Sequence, residues 1–547
     1  MTETTAPITE NSRTRTAARI GWATLILATL YVCYFSHLGA IGFVGPDEPR
    51  YAWIARDMAE TGDWVTPRLY GKPWFEKPVL YYWGAALCFK LFGVSEAAAR
   101  LPSAISALLA TLALAWLALR LYGAETARWF LLLLPTTVGM IVFSHAAATD
   151  MPFSGMLTMA MVCAAVVLGL TRNENSPVIP QTPWPALFLF GFFLGLAVLA
   201  KGPAAIILSG GAIFLWALIT KRWRDAFGLF HPAALASFCL TALPWYILCA
   251  SRNPDFFRIF IIEHNFKRYL TPEFQHIQPF WYYIPIILIA VFPWTAILLT
   301  QVGNWLSSPR LDSAAASTFL LSASVFPIVF FSASQSKLPG YILPALLTSV
   351  LVLCHFVSAK IDQPSVLLGR LLSLLGVVIL VAGAVAGRRT WQEPRPFPFD
   401  QPWIWYWIGG VQMFGAVLAL TGTMRRLQAA FISTVVAVLC LIEGSSYLIL
   451  PRLDFELTGH PLGTYARTLP ASVIDHVCIF ELERSAEFSV KFYYHRDLPT
   501  WSTQQSGCRD VFVSRRGIDD LEKQGVPTGR GIRIFKDVWG IRLGDPR

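Results

Sequence analysis

Long apolar runs recur along this chain at a length that water-soluble folds seldom use. A helix that crosses a bilayer needs about 20 mostly apolar residues in succession. About thirteen such runs can be drawn: Ala18–Ala40, Leu101–Leu121, Thr126–His145, Pro152–Leu170, Pro185–Ala200, Pro203–Ile219, Ala233–Ala250, Phe280–Leu299, Ala314–Phe331, Tyr341–Val357, Val366–Ala386, Trp403–Leu420 and Ala429–Leu448. The 547 residues are 55% hydrophobic and 14% charged, more apolar matter than a soluble core of this size absorbs. Trp and Tyr gather at run ends, as at Trp281-Tyr282-Tyr283, where an interfacial belt would hold them. The first run is too long for the apolar region of a cleavable signal and lacks a clear small-residue cleavage site, so it reads as an uncleaved span. The expected fold is an α-helical polytopic membrane protein.

The net charge of +10 comes from 44 basic and 34 acidic residues. Basic residues flank apolar runs, which points to anionic headgroups and away from nucleic acid. A cytoplasmic tail over residues 1–17 would put Lys221, Arg222, Arg224, Arg310, Lys360, Arg425 and Arg426 on its own side. The opposite side is basic too, but there the cations stand among acids, aromatics and prolines. The first set reads as topology signals and the second as a candidate site. An odd number of spans then puts the C-terminus outside the cytoplasm.

Residues 18–450 are expected to form the membrane domain, with an external loop over 41–100. In that loop one interfacial helix is expected from Pro49 to about Glu60, capped by Asp47 or Glu48, and a second from Pro78 through Phe92. Residues 451–547 are polar and mixed, with β-like runs at His476–Glu481, Phe488–Tyr494 and Asp510–Ser514, and read as a small soluble α/β domain. Of nine cysteines, only Cys478 and Cys508 lie in polar sequence; they either pair in an oxidising compartment or stay free.

Chemistry-bearing residues gather on the external side. Pro46-Asp47-Glu48-Pro49-Arg50-Tyr51 places adjacent acids just beyond a span end, between prolines. Helix capping explains them as well as a site does. Asp150, in Ala147-Ala148-Thr149-Asp150-Met151-Pro152, stands hard against another span end, where an acid caps, pairs or works. Two such turns facing one side favour a site. Trp74-Phe75-Glu76-Lys77-Pro78, Lys201-Gly202-Pro203, Glu263-His264-Asn265-Phe266-Lys267-Arg268 and Ser336-Lys337-Leu338-Pro339-Gly340-Tyr341 add cations and hydrogen-bonding groups on that side. Glu76 and Lys77 also fit a plain surface ion pair, and a lone His264 is more often structural than a ligand. Cations match a lipid phosphate, and carboxylates match an amino group, a metal or positive charge at a sugar's anomeric carbon.

At these motifs the chain resembles the 4-amino-4-deoxy-L-arabinose transferases of lipid A modification, within the C-type membrane glycosyltransferases that also include the protein O-mannosyltransferases. The resemblance rests on Gly45–Ala52, Gly62–Leu69, Phe75–Pro78, Ala148–Asp150, Ala200–Pro203, Glu263–Asn265 and Ser336–Tyr341. It implies about thirteen transmembrane helices with a C-terminal periplasmic domain, in a bacterial inner membrane, with the active site facing the periplasm. It implies transfer of the aminosugar from undecaprenyl phosphate, the lipid carrier, to a lipid A phosphate, and thereby polymyxin resistance. Asp47 and Asp150 would be the acids at the sugar. Glu48, Arg50, Lys77, Tyr82, Lys201, Arg268, Lys337 and Tyr341 would bind substrate, and Glu76 with His264 would hold a divalent metal (Zn, Mg or Mn) if one is used. A monomer is expected. The alternatives are a related transferase with another sugar, or a protein acceptor, and a lipid or sugar transporter. Against a transporter, charges are scarce within the runs, Glu443 being the main exception, and no inverted repeat is visible.

Overall fold

Inside a bilayer every backbone N–H and C=O has to be satisfied within its own segment, so apolar runs fold as helices. The computed structural model describes residues 8–171, 183–270, 277–307, 314–360, 366–392, 403–424, 427–470, 476–502, 507–529, 531–535 and 537–543. Arg310, Arg425 and Arg426 lie outside them, as does part of the tail.

The helices in chain order are α1 (Ile8–Tyr34), α2 (Asp47–Thr61), α3 (Leu80–Phe92), α4 (Glu96–Tyr122), α5 (Ala124–Leu133), α6 (Val138–Ser144), α7 (Asp150–Val167), α8 (Trp184–Lys201), α9 (Ala204–Thr220), α10 (Trp223–Phe227), α11 (Pro232–Arg252), α12 (Arg268–Leu270), α13 (Tyr283–Val291), α14 (Thr295–Ser307), α15 (Ala315–Ser332), α16 (Leu343–Lys360), α17 (Val366–Gln392), α18 (Trp403–Thr423), α19 (Leu427–Leu448), α20 (Leu450–Leu457), α21 (His460–Thr468), α22 (Arg484–Tyr494) and α23 (Arg515–Lys523). Among the described residues nine helices are long and apolar enough to cross a membrane, ten if the bent pair α5–α6 is one span. This is a multi-pass membrane protein.

Every predicted span is helical, but length and composition support fewer than thirteen. The run at Thr126–His145 is broken into α5 and α6, bent by 63° around Pro135, which lacks the N–H a helix interior needs. Phe280–Leu299 is likewise split, at Phe292-Pro293, into α13 and α14. The run at Pro203–Ile219 becomes α9, at 17 residues shorter than a full crossing.

The external loop carries α2, a two-stranded hairpin of β1 (Arg68–Leu69) and β2 (Lys72–Pro73), and α3. The C-terminal part holds a four-stranded sheet of β3 (Val477–Phe480), β4 (Asp510–Ser514), β5 (Ile532–Phe535) and β6 (Val538–Arg542). Its order is β3-β4-β6-β5, parallel at β3–β4 and antiparallel elsewhere. Alternate residues face opposite ways along a strand. Val477, Ile479 and Phe512 enter one core, while Cys478, Val511 and Val513 enter another, so the sheet is buried on both faces. Cys478 and Cys508 form a disulfide. The segment Phe488–Tyr494, expected as β-like, lies instead within α22: its apolar residues serve a helical stripe, not an alternating strand.

The C-terminal part is seated on the loop before α2. Gly42 N–H donates to Asp454 Oδ1 at 2.8 Å, and a Cβ on Gly42 would stand 2.5 Å from Thr458 Oγ1 and 2.7 Å from His460 Cβ. Only glycine fits there. Tyr493 Oη accepts from Phe43 N–H (3.0 Å) and donates to Glu96 Oε1 (2.7 Å).

Candidate active site

Pro46 occupies the N-cap position of α2 without a side-chain capping bond, so Asp47 and Glu48 are its first helical residues, not its caps. Asp47 is 55% exposed and pairs with Arg50 Nη2 at 2.5 Å, one helical turn on. Arg50 is buried, and its Nη1 reaches Glu76 Oε2 at 2.8 Å; Lys77 Nζ follows 3.7 Å from Glu76 Oε1. The rings of Tyr51, Trp74 and Phe488 stand 5.1, 5.6 and 5.7 Å from the guanidinium carbon of Arg50. Arg50 is thus a fixed cation between two carboxylates in an aromatic cage. Its Nε, the indole N–H of Trp74 and the hydroxyl of Tyr82 are buried without a protein partner.

Glu48, expected to bind substrate, is held in a buried ion-pair network. Its carboxylate is gripped by Arg100 Nε (3.0 Å) and Nη2 (2.8 Å) and accepts the N–H of Val44 (2.7 Å) and of Ala147 (2.6 Å). Arg100 spends its other donors on the carbonyls of Leu38, Ile41 and Gly42, each at 2.8 Å. A buried charge is tolerated when it is paired and hydrogen-bonded as fully as this. Arg100 escaped the sequence reading; its one visible signal was a charge beside the start of an apolar run.

The bond from Glu48 to Ala147 ties the start of α2 to the turn before Asp150. Asp150 opens α7 and pairs with Lys201 Nζ at 2.5 Å. That ammonium lies 4.8 Å from the ring centre of Tyr341 and 5.4 Å from that of Phe153. Gly340 lets the Pro339–Ile342 turn close over the carboxylate: a Cβ there would be 2.6 Å from Asp150 Oδ1. Asp150, Lys201 and Tyr341, predicted from separate motifs, therefore meet.

Lys337 is buried, and its Nζ donates to the carbonyls of Ser334 (2.5 Å) and Gln278 (3.0 Å). Burial holds its pKa below the ordinary lysine value of 10.5. Tyr82 is fully buried in α3, 5.9 Å ring to ring from Tyr51. His264 lies in a π-helix, Arg258–Lys267, and the side chain of Arg268 lies outside the described residues. Glu76 already faces Arg50 and Lys77, and among the described residues no group of three or more His, Cys, Asp or Glu side chains could hold a metal ion. The donor set at Glu76 and His264 therefore does not fit a metal centre.

Residues 19–260 match the family described as dolichyl-phosphate-mannose-protein mannosyltransferase. Two undecaprenyl phosphate-alpha-4-amino-4-deoxy-L-arabinose arabinosyl transferases are similar in sequence. The one from Enterobacter sp. (strain 638) is 30% identical over 62% of this chain and 59% of its own length. The one from Edwardsiella ictaluri is 32% identical over 66% of this chain and 63% of its own length. The match thus spans about three fifths of these relatives. The crystal structure of ArnT from Cupriavidus metallidurans bound to undecaprenyl phosphate superposes with a TM-score of 0.75 over 95% of this chain and 98% of that one, at 22% identity.

Helical architecture and an acidic site at the helix ends define a protein of the C-type membrane glycosyltransferase fold. Within that fold, the chain is similar in sequence to 4-amino-4-deoxy-L-arabinose arabinosyl transferases over about three fifths of their length.

Proposed function

We propose that this chain is a bacterial inner-membrane glycosyltransferase that moves 4-amino-4-deoxy-L-arabinose from undecaprenyl phosphate to a lipid A phosphate, on the periplasmic face. The observation that carries this reading is that a hydrogen bond from Ala147 to Glu48 joins the two turns that bear Asp47 and Asp150. Each carboxylate is paired with a cation, Arg50 or Lys201, and the two are linked through Glu48 and Ala147. The names of the sequence relatives supply the sugar and its carrier.

An acceptor phosphate is already anionic near neutral pH and needs no strong base. Its oxygen attacks the anomeric carbon as the bond to the carrier's phosphate breaks, and undecaprenyl phosphate leaves with the electron pair. Asp47, the more exposed acid, and Asp150 stabilise positive charge at the anomeric carbon and orient the amino group. Lys77, Arg268, Lys337 and Tyr341 hold the leaving phosphate, with Lys201 beside them. The unpartnered donors of Arg50, Trp74 and Tyr82 offer hydrogen bonds to the oxygens of donor or acceptor. No step is assigned to a metal. The protein acts as a monomer. Added aminosugar removes net negative charge from the outer surface, so cationic peptides such as polymyxin bind it less well.

Mass spectrometry of lipid A tests this in cells lacking the protein, with and without the chain restored. A mass gain matching aminoarabinose, lost in Asp47→Asn, is expected. The mannosyltransferase match over residues 19–260 favours a second reading, a protein acceptor. Unchanged lipid A in cells that make the lipid-linked aminosugar would move the assignment there.

A further inference from the structure

One stripe of the C-terminal α22 lies against both arms of the acidic site. Phe488, Lys491 and Phe492 share a helical face, and His495 follows at i+7, just past the helix end. The Phe488 ring stands 5.7 Å from the Arg50 guanidinium carbon and stacks on Tyr70 at 6.4 Å. Lys491 is buried, held by Glu487 and Asp497 at 2.9 Å each, with its ammonium 4.5 Å from the centre of the Tyr70 ring. Phe492 meets Phe43 at 4.9 Å, and His495 Nε2 lies 3.0 Å from Glu60 Oε2. The stripe therefore touches α2 near its first turn, through Arg50, and at its last, through Glu60.

The second arm is the β1–β2 hairpin. Tyr70 and Gly71 form its turn, both at positive φ (54° and 76°), the backbone of a tight two-residue turn. The hairpin leads directly into Trp74, Glu76 and Lys77. A hairpin with two-residue strands has little stability of its own. Its turn is held from outside by Phe488, Lys491 and Trp53, the last at 4.8 Å from Tyr70. A buried lysine committed to this contact is costly unless its place is fixed, and Glu487 and Asp497 fix it.

We infer that the C-terminal unit is a working part of the site: through Phe488 on Arg50 and Lys491 on Tyr70, α22 sets the positions of Asp47, Glu76 and Lys77. Phe488 and Lys491 are positioning residues, since neither meets the reacting atoms. The kinetic part of the test rests on the transferase reading above; the exchange part does not.

The experiment uses the full-length protein in lipid nanodiscs and compares Phe488→Ala, Phe488→Leu and Phe488→Tyr. Backbone hydrogen exchange is followed at residues 47–50 and 68–77, alongside steady-state transfer and thermal unfolding. Phe488→Ala is expected to raise exchange in both segments and lower kcat about tenfold with little change in KM. Phe488→Tyr restores both, and Phe488→Leu, which keeps volume but not the ring face, falls between. Wild-type exchange and kcat in Phe488→Ala would overturn the inference. So would exchange raised throughout the C-terminal unit with a lowered unfolding temperature in Phe488→Ala and Phe488→Leu alike, because that marks a merely structural role. If the wild type transfers no aminosugar, the functional reading fails, and the exchange data still decide the inference.

Discussion

Glu48 Oε1 accepts the backbone N–H of Ala147 at 2.6 Å across 99 residues of chain, and that bond couples the two acidic turns. Each end of it lies beside a carboxylate proposed to act at the sugar: Asp47 precedes Glu48, and Asp150 opens the helix just after Ala147. The Arg100 guanidinium locks the arrangement by binding both oxygens of Glu48 and the carbonyls of the α1–α2 connection.

Glu48→Ala removes the counter-charge from a buried arginine. Breaking one side of a buried pair costs about 3–5 kcal/mol. Thermal unfolding in detergent should show a large loss of stability, with activity falling alongside it. A variant with wild-type stability and reduced donor affinity would return Glu48 to the substrate-binding set.

Asp47→Asn and Asp150→Asn should behave differently from Glu48→Ala. Both positions are partly exposed and neither carries a buried network like that of Glu48, so the fold is expected to persist. Loss of a preorganised charge that acts in the transition state should lower kcat by about 10²–10³. Stopped transfer with an unchanged elution profile is the expected result, and full activity in either variant would remove that residue from the mechanism.

Much of this was legible in the sequence, for physical reasons that also explain the misses. Run length found the helices because the bilayer fixes how long they are, but run length is blind to the breaks at Pro135 and Phe292-Pro293. Asp47, Asp150, Lys201 and Tyr341 stood out as polar groups at span ends, and three of them meet at one point. The pairing of Glu48 was not legible because adjacent acids look alike until a helix turns one outward and the other toward Arg100. Arg100 and Phe488 were invisible for a related reason. Their meaning lies in contacts at sequence separations that no local pattern encodes, and the Phe488–Tyr494 apolar run was open to both strand and helix periodicity.

Gly340→Ala tests the placement of Asp150 without touching its carboxylate. The new methyl would meet Asp150 Oδ1 at 2.6 Å and Phe143 Cε1 at 2.9 Å, so the acid or the turn has to shift. A displacement of this order at a reacting group costs about 10²-fold in rate. Gly444→Ala, with nothing within 4 Å of the added atom, is the control. Kinetics of the pair in parallel should show the loss in Gly340→Ala alone.

The pH dependence of donor binding tests Lys337. Burial favours its neutral form, so its pKa in the free protein lies below 10.5. A lysine in contact with a phosphate needs its proton, and binding the anion favours the charged form. Donor affinity should therefore be full at pH values below the lowered pKa and fall as pH rises through it, at lower pH than an ordinary lysine would give. Arginine stays charged throughout this range, so Lys337→Arg, where it retains activity, should flatten the alkaline limb. The measurement is KM for the lipid-linked donor from about pH 7 to about pH 10. A wild-type KM that does not change across that range would separate Lys337 from the phosphate and leave it as the clasp between the Ser334 and Gln278 carbonyls.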